Sequence, residues 1–190
     1  MAKVGSNLVV HGLSGMLGKQ LVVRRQKDGS FVVAAAPHRS ADAAPSNAQK
    51  EQQAKFKQAI LYARGAKGLP EYEQAAKSRG VSTHNVAVAD FLRPPEIEAI
   101  DVSEYHGAPG ETIAITAVDD VKVSTVSVLI TTDDGKLVEK GTAVLSPVDG
   151  SRWTYTATAS APGSAIKVVV DVADLAGHVT EKVEELAAAH

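Results

Sequence analysis

Glycines followed by a lysine are the first residues in this chain that suggest chemistry. Gly12, Gly15 and Gly18 precede Lys19, and phosphate loops combine spaced glycines with a lysine. The match fails at two positions. A P-loop needs glycine five positions before Gly18, where this chain has Leu13, and a Ser or Thr after the lysine, where it has Gln20. The spacing is not the dinucleotide fingerprint either. These glycines read instead as a tight turn or a close backbone approach.

The second candidate is a set of hard oxygen ligands. Asp119-Asp120, Asp133-Asp134, Asp171 and Asp174 suggest calcium, which takes roughly 6–8 oxygens converging on one point. Asp119-Asp120 and Asp133-Asp134 bracket one long strand and should lie at its opposite ends. Asp119-Asp120 with Asp174 is the grouping that two meeting loops would allow. Turn chemistry, in which an Asp bonds its own local backbone, accounts for the same residues without an ion. His11, His38, His84, His106 and His178 have no partners at i+3 or i+4, and no local carboxylate–histidine cluster is expected. No nucleophile elbow surrounds Ser14 or Ser103. With no constellation of nucleophile, base and orienter, the expectation is a protein that is not an enzyme, with no catalytic residue, no metal site and no cofactor.

Charge is the stronger signal. Residues 1–95 carry 14 Lys+Arg against 6 Asp+Glu, and residues 96–190 carry 6 against 16, so a total of −2 conceals halves of +8 and −10. Such a split favours attraction between a basic and an acidic half, or between the basic half and a polyanion. There is no cysteine, which excludes disulfides and thiolate metal sites. No run approaches the apolar length of a membrane span. Met1-Ala2-Lys3-Val4-Gly5-Ser6 shows no signal-peptide pattern, so the compartment stays open. Aromatics make up 4% of the chain, so its cores must be built from Val, Ile, Leu and Ala.

Three kinds of segment must position these groups. Leu8-Val9-Val10 reads as a first strand. A hairpin over about residues 20–36 turns at Lys27-Asp28-Gly29-Ser30. Residues 45–93 read as three helices. The first is capped at Ser46 or Asn47, with Phe56, Ala59, Ile60 and Ala63 on one face. The second starts at Pro70 and ends at Gly80. The third, about 83–92, is capped by Ser82, with Val86, Ala89 and Phe91 inward. Pro94-Pro95 marks a stiff joint where the charge sign also changes. Residues 96–185 alternate with period two between turn signals, and predict about seven strands of a sandwich. Its inward set is Ile113, Ile115, Val126, Val128, Trp153, Ile166, Val168, Val170 and Val172. Residues 186–190 form a tail.

The stretches Ile115-Thr116-Ala117-Val118-Asp119-Asp120-Val121-Lys122-Val123 and Val170-Asp171-Val172-Ala173-Asp174-Leu175-Ala176-Gly177-His178-Val179-Thr180 resemble bacterial immunoglobulin-like repeats of surface and secreted proteins. His178 stands where those repeats usually carry Asn. The resemblance implies a fold, and an extracellular or phage-associated setting, but no active site. The N-terminal half resembles uncharacterised bacterial proteins that open with a Gly-spaced strand pair and a Gln/Lys-rich helix.

The fold class expected is α+β: a basic hairpin and helical region over 1–93, a hinge at 94–95, and an acidic immunoglobulin-like β-sandwich over 96–185. The function expected is structural: a homo-oligomer assembled head to tail into a filament, tube or ring through Leu8, Val9, Val10, Arg24, Arg25 and Lys27. Two alternatives stand beside it. One is a nucleic-acid-associated or phage-type accessory protein gripping a polyanion through the basic half. The other is an adhesive or carbohydrate-binding module.

Overall fold

The structure is a computed structural model, and it describes residues 2–4, 13–26, 29–36, 44–161 and 166–186. The chain divides into two compact units, Met1–Ser46 and Asn47–His190. The Pro94-Pro95 joint therefore lies inside the second unit, because the helices before it pack against the strands after it.

The first unit is a four-stranded antiparallel sheet of β1 (Ala2–Val4), β2 (Gly15–Leu17), β3 (Leu21–Arg25) and β4 (Phe31–Ala35), in the order β1-β4-β3-β2. The expected hairpin is β3–β4, in register from Leu21 opposite Ala35 to Arg25 opposite Phe31. The expected strand at Leu8-Val9-Val10 lies outside the described residues. The glycine stretch supplies β2 and then a turn in which Gly18 and Lys19 both take φ of 57°. Val23, Phe31 and Val32 are buried, while Leu13, Met16, Leu17 and Leu21 are exposed.

The second unit begins with α1 (Asn47–Gly65), a 3-10 turn (Ala66–Gly68), α2 (Pro70–Arg79) and α3 (Thr83–Leu92). The local signals act as expected. Pro70 opens α2, Gly80 closes it in the left-handed region, and the Ser82 hydroxyl accepts from the Asn85 amide to cap α3. One face was misjudged. Phe56 is 48% exposed, because only the C-terminal part of α1 meets a partner and its buried residues are Ala59 and Ala63. The helical core consists of Ala63, Ala66, Tyr72, Ala76, Val86 and Ala87.

Eight strands follow: β5 (Glu96–Asp101), β6 (Thr112–Val118), β7 (Val123–Thr132), β8 (Leu137–Thr142), β9 (Val144–Leu145), β10 (Arg152–Thr156), β11 (Ile166–Asp174) and β12 (Val179–Leu186). They form two sheets, β5-β6-β10-β9 and β12-β11-β7-β8. The inner faces share one core, and all nine residues expected to point inward are buried in it. The result is a mixed α+β protein with a sandwich-like pair of sheets. At one side of the sandwich the edge strands β5 and β12 are tied by side chains. Thr180 Oγ1 donates to the Pro95 carbonyl at 2.6 Å, and Lys182 Nζ donates to the carbonyls of Ile97 and Glu98 at 3.3 Å each.

Packing inside the sandwich leaves no room at one glycine. A Cβ on Gly141 would lie 2.8 Å from Cε2 of Tyr155, a buried ring. Around Gly150 nothing lies within 4 Å. We expect Gly141→Ala to cost about 1–3 kcal/mol through displacement of the Tyr155 ring. Gly150→Ala should stay within about 0.5 kcal/mol of the parent. Urea unfolding checks both, and equal effects at the two sites would refute the close-packing account.

Candidate functional site

Chemistry-bearing side chains converge where the three helices meet one end of the sandwich. The β6–β7 loop contributes Asp119 and Asp120, and the end of β11 with its following turn contributes Asp174 and His178. Helices α1, α2 and α3 contribute Tyr62, Tyr72 and Asp90. Val121 and Leu175 from the two loops pack on the helical core, so apolar contact and polar network share one junction.

Asp90 is the centre of this network. It has 0% exposure, although it is a carboxylate. Helical spacing puts it there, four residues after the buried Val86 and three after Ala87. The Tyr72 hydroxyl donates to Asp90 Oδ2 at 2.6 Å. The Tyr72 and Tyr62 hydroxyls pair at 2.8 Å, and Tyr62 bonds the Leu175 carbonyl at 3.0 Å. A chain of bonds therefore runs from β11 through α1 and α2 to α3. Burial pushes the Asp90 carboxyl up to about 7. The Tyr72 hydrogen bond pulls the other way, while the nearby charges of Asp119 and Asp174 add to the rise. Burial likewise raises Tyr62, and raises Tyr72 further with help from its bond to Asp90.

Asp174 continues the inward alternation of Val168, Val170 and Val172 and is buried in turn. Both of its oxygens are used by His178: the amide donates to Oδ1 at 2.8 Å, and Nδ1 lies 2.7 Å from Oδ2. The His178 ring stands edge-on to Phe91 of α3, with centroids 4.9 Å apart. This corrects the expectation that no carboxylate–histidine pair is local. Asp174 and His178 are four apart along a turn that folds them together. Asp119 Oδ2 accepts from the amides of Val121 and Lys122 at 3.3 and 3.0 Å, which is the turn chemistry expected of it.

A second layer lies outside. Arg79 bonds both the carboxylate and the backbone carbonyl of Asp120, Arg93 reaches the same carboxylate at 3.3 Å, and Lys122 pairs with Glu71 at 3.2 Å. These exposed pairs cross between the helices and the β6–β7 loop. Beside them an open depression of about 400 Å³ is lined by Leu92, Arg93, Pro94, Glu96, Val118, Asp119 and Asp120. Among the described residues, no group of three or more His, Asp or Glu side chains is arranged to hold a metal ion. Asp119 and Asp174 do come to the same end of the sandwich, whereas Asp133 and Asp134 lie at the far end of β7. Among the described residues, no helix is long and apolar enough to cross a membrane.

The residues singled out for assembly are placed separately. Arg24 and Arg25 stand exposed on β3. Leu8, Val9, Val10 and Lys27 lie outside the described residues. Sequence reasoning missed Asp90, Tyr72 and Tyr62, though the spacing of Asp90 from Val86 already put it on the buried face.

No family model matches this chain, and no curated protein matches it. Two solved structures show limited likeness. CopC from Methylosinus trichosporium OB3b aligns at 19% identity over 48% of this chain and 89% of that one, with a TM-score of 0.37. An engineered protein aligns at 20% identity over 53% of this chain and 21% of that one, with a TM-score of 0.38.

The network and the outer ion pairs should separate in energy. Tyr72→Phe removes the donor to a fully buried carboxylate, and we expect a loss of about 1–3 kcal/mol in urea unfolding. Asp120→Ala breaks only exposed pairs and should cost less than about 1 kcal/mol. A reversed order would mean that the outer pairs, not the buried network, hold the helices down.

Proposed function

We propose that the protein is a non-enzymatic structural subunit that assembles head to tail with copies of itself. The observation that carries this reading is a pair of exposed patches that are each apolar and carry opposite charge. The first unit presents Leu17 and Leu21, a cross-strand pair of β2 and β3 that is exposed, with Arg25 on the same face, while Met16 and Arg24 share the opposite face and Lys19 sits in the turn. The outer face of β12 alternates Val179, at 62% exposure, with Glu181, Val183 and Glu185. Residues 1–46 carry 6 Lys+Arg and 2 Asp+Glu, and residues 47–190 carry 14 and 20, so the two units are +4 and −6. A contact between unlike patches on successive copies is heterologous, and its repetition builds a filament, tube or ring.

Two further features support the reading. A unit of residues 1–46 can bury only a small core and gains by completing it against a partner. The strand orders β5-β6-β10-β9 and β12-β11-β7-β8 also suit an immunoglobulin-like sandwich, with β8 as an extra strand beside the three-stranded sheet. Domains of that class serve widely as scaffolds.

Light scattering on the purified chain tests the proposal. Assembly should appear at low salt and weaken toward about 0.5 M, where the Debye length falls to a few Å. Arg24→Glu with Arg25→Glu should weaken it at low salt, and adding Glu181→Lys with Glu185→Lys should restore it. A chain that stays monomeric at high concentration and low salt sinks the proposal. If that chain also shifts on adding DNA, the polyanion reading takes its place.

A further inference from the structure

We infer that Asp90 and Asp119 share one proton between facing carboxyl groups, and that this proton latches the three helices onto the end of the sandwich. Each residue has one oxygen, Oδ1, that is buried and has no hydrogen-bond partner. Their other oxygens are occupied: Asp90 Oδ2 by the Tyr72 hydroxyl, Asp119 Oδ2 by two backbone amides. Both oxygens belong to the junction where α3 meets the β6–β7 loop, which Arg93 at the end of α3 also bridges through its bond to Asp120, and Asp119 is among the neighbours that raise Asp90. Two bare carboxylate oxygens facing each other in a buried site cannot both remain ionised. A single proton between them makes one a donor and the other an acceptor, and satisfies both at once.

The surroundings leave little else to do that job. The groups facing Asp90 are Tyr72 from α2, Tyr62 from α1, Asp119 from the β6–β7 loop and Asp174 from β11. The last is engaged by His178. The nearest cations are turned outward, with Arg79 and Arg93 on Asp120 and Lys122 on Glu71. A divalent cation would find only two free carboxylate oxygens here, against the roughly 6–8 ligands that calcium takes. The upward displacement of Asp90, caused first by burial, agrees with a held proton.

The sign of the effect follows from linkage. A carboxyl raised in the folded state binds a proton there that the unfolded chain gives up. Its stabilising contribution is complete below the ordinary Asp range near pH 4 and is lost as pH rises to about 7. Above that, two neighbouring buried charges push α3 away from the β6–β7 loop. The latch is independent of the assembly surfaces, so either idea can fail alone.

The test compares the full chain with Asp90→Asn and Asp119→Asn in urea unfolding between pH 4 and 8, with carbon-13 titration of the Asp90 carboxyl. The parent should lose midpoint steadily relative to Asp90→Asn from about pH 4 to 7, then run parallel to it. Asp119→Asn, whose amide can donate to Asp90, should flatten the same part of the curve, and keeps the test open if Asp90→Asn fails to fold. The Asp90 carboxyl should titrate near pH 7 in the parent. Hydrogen-exchange protection of α3, corrected for intrinsic rate, should fall above neutrality before that of β7 and β11. A carboxyl midpoint near 4 overturns the inference. So does a parent curve parallel to both variants, or a midpoint that calcium raises in the parent but not in Asp90→Asn, since an ion would then occupy the proton's place.

Discussion

A carboxylate buried without a cation partner sets the terms for the second unit. Leaving such a group ionised costs several kcal/mol even after relaxation, so everything around Asp90 must supply either donors or a proton. The helices have little else to hold them. Four of the six residues in their core are alanines, whose burial contributes far less than that of Leu or Ile. The triad is thus not a self-sufficient bundle. Its place is fixed by the packing of Val121 and Leu175 and by the bond from Tyr62 to the Leu175 carbonyl, while Tyr72 ties the helices to one another through Tyr62 and Asp90. Docking and polar satisfaction are coupled through Tyr62, whose hydroxyl reaches the Leu175 carbonyl while it pairs with Tyr72.

Other carboxylates serve the turns. Asp101 accepts from the Ser103 amide, Glu111 from those of His106 and Ala108, and Asp149 from Ser151. These hydrogen bonds hold the three carboxyls below their ordinary range. Their stabilisation is present above about pH 4 and lost as acid protonates them in the folded state. Asp90 works in the opposite direction over a higher window. The chain therefore contains carboxylates held in their charged form and one raised toward neutrality, and net charge alone conceals the difference.

Strand alternation and helix caps were readable because they depend on neighbours in sequence. The nine inward residues of the sandwich, Pro70 at the start of α2, Gly80 at its end and Ser82 before α3 all act through local geometry. Phe56 was misjudged because amphipathic spacing says which residues share a face, not whether anything covers that face. β1 escaped notice because three residues are too few to show a period. The network around Asp90 was legible only in part. Helical spacing from Val86 places it inward, and strand spacing from Val172 places Asp174 inward, a position that reading Asp174 as a turn or ion ligand did not use. That Tyr62, Tyr72 and Asp119 meet them depends on contacts between segments far apart in the chain, which no local pattern encodes.

The bonds across the sandwich seam have a mechanical meaning. Thr180 and Lys182 grip carbonyls of Pro95, Ile97 and Glu98, so the first strand of the sandwich is fastened to the last by side chains rather than by a backbone ladder. Tension entering at Pro95 passes directly into β12, which pairs with β11 over eight residue positions. A pull along the strands loads that ladder in shear, where its bonds resist together. A pull across them loads a hydroxyl and an ammonium contact one at a time, together with the apolar packing that the two inner faces share. The seam is therefore expected to resist a pull along its strands more than one across them, with Thr180 and Lys182 as polar contacts across it.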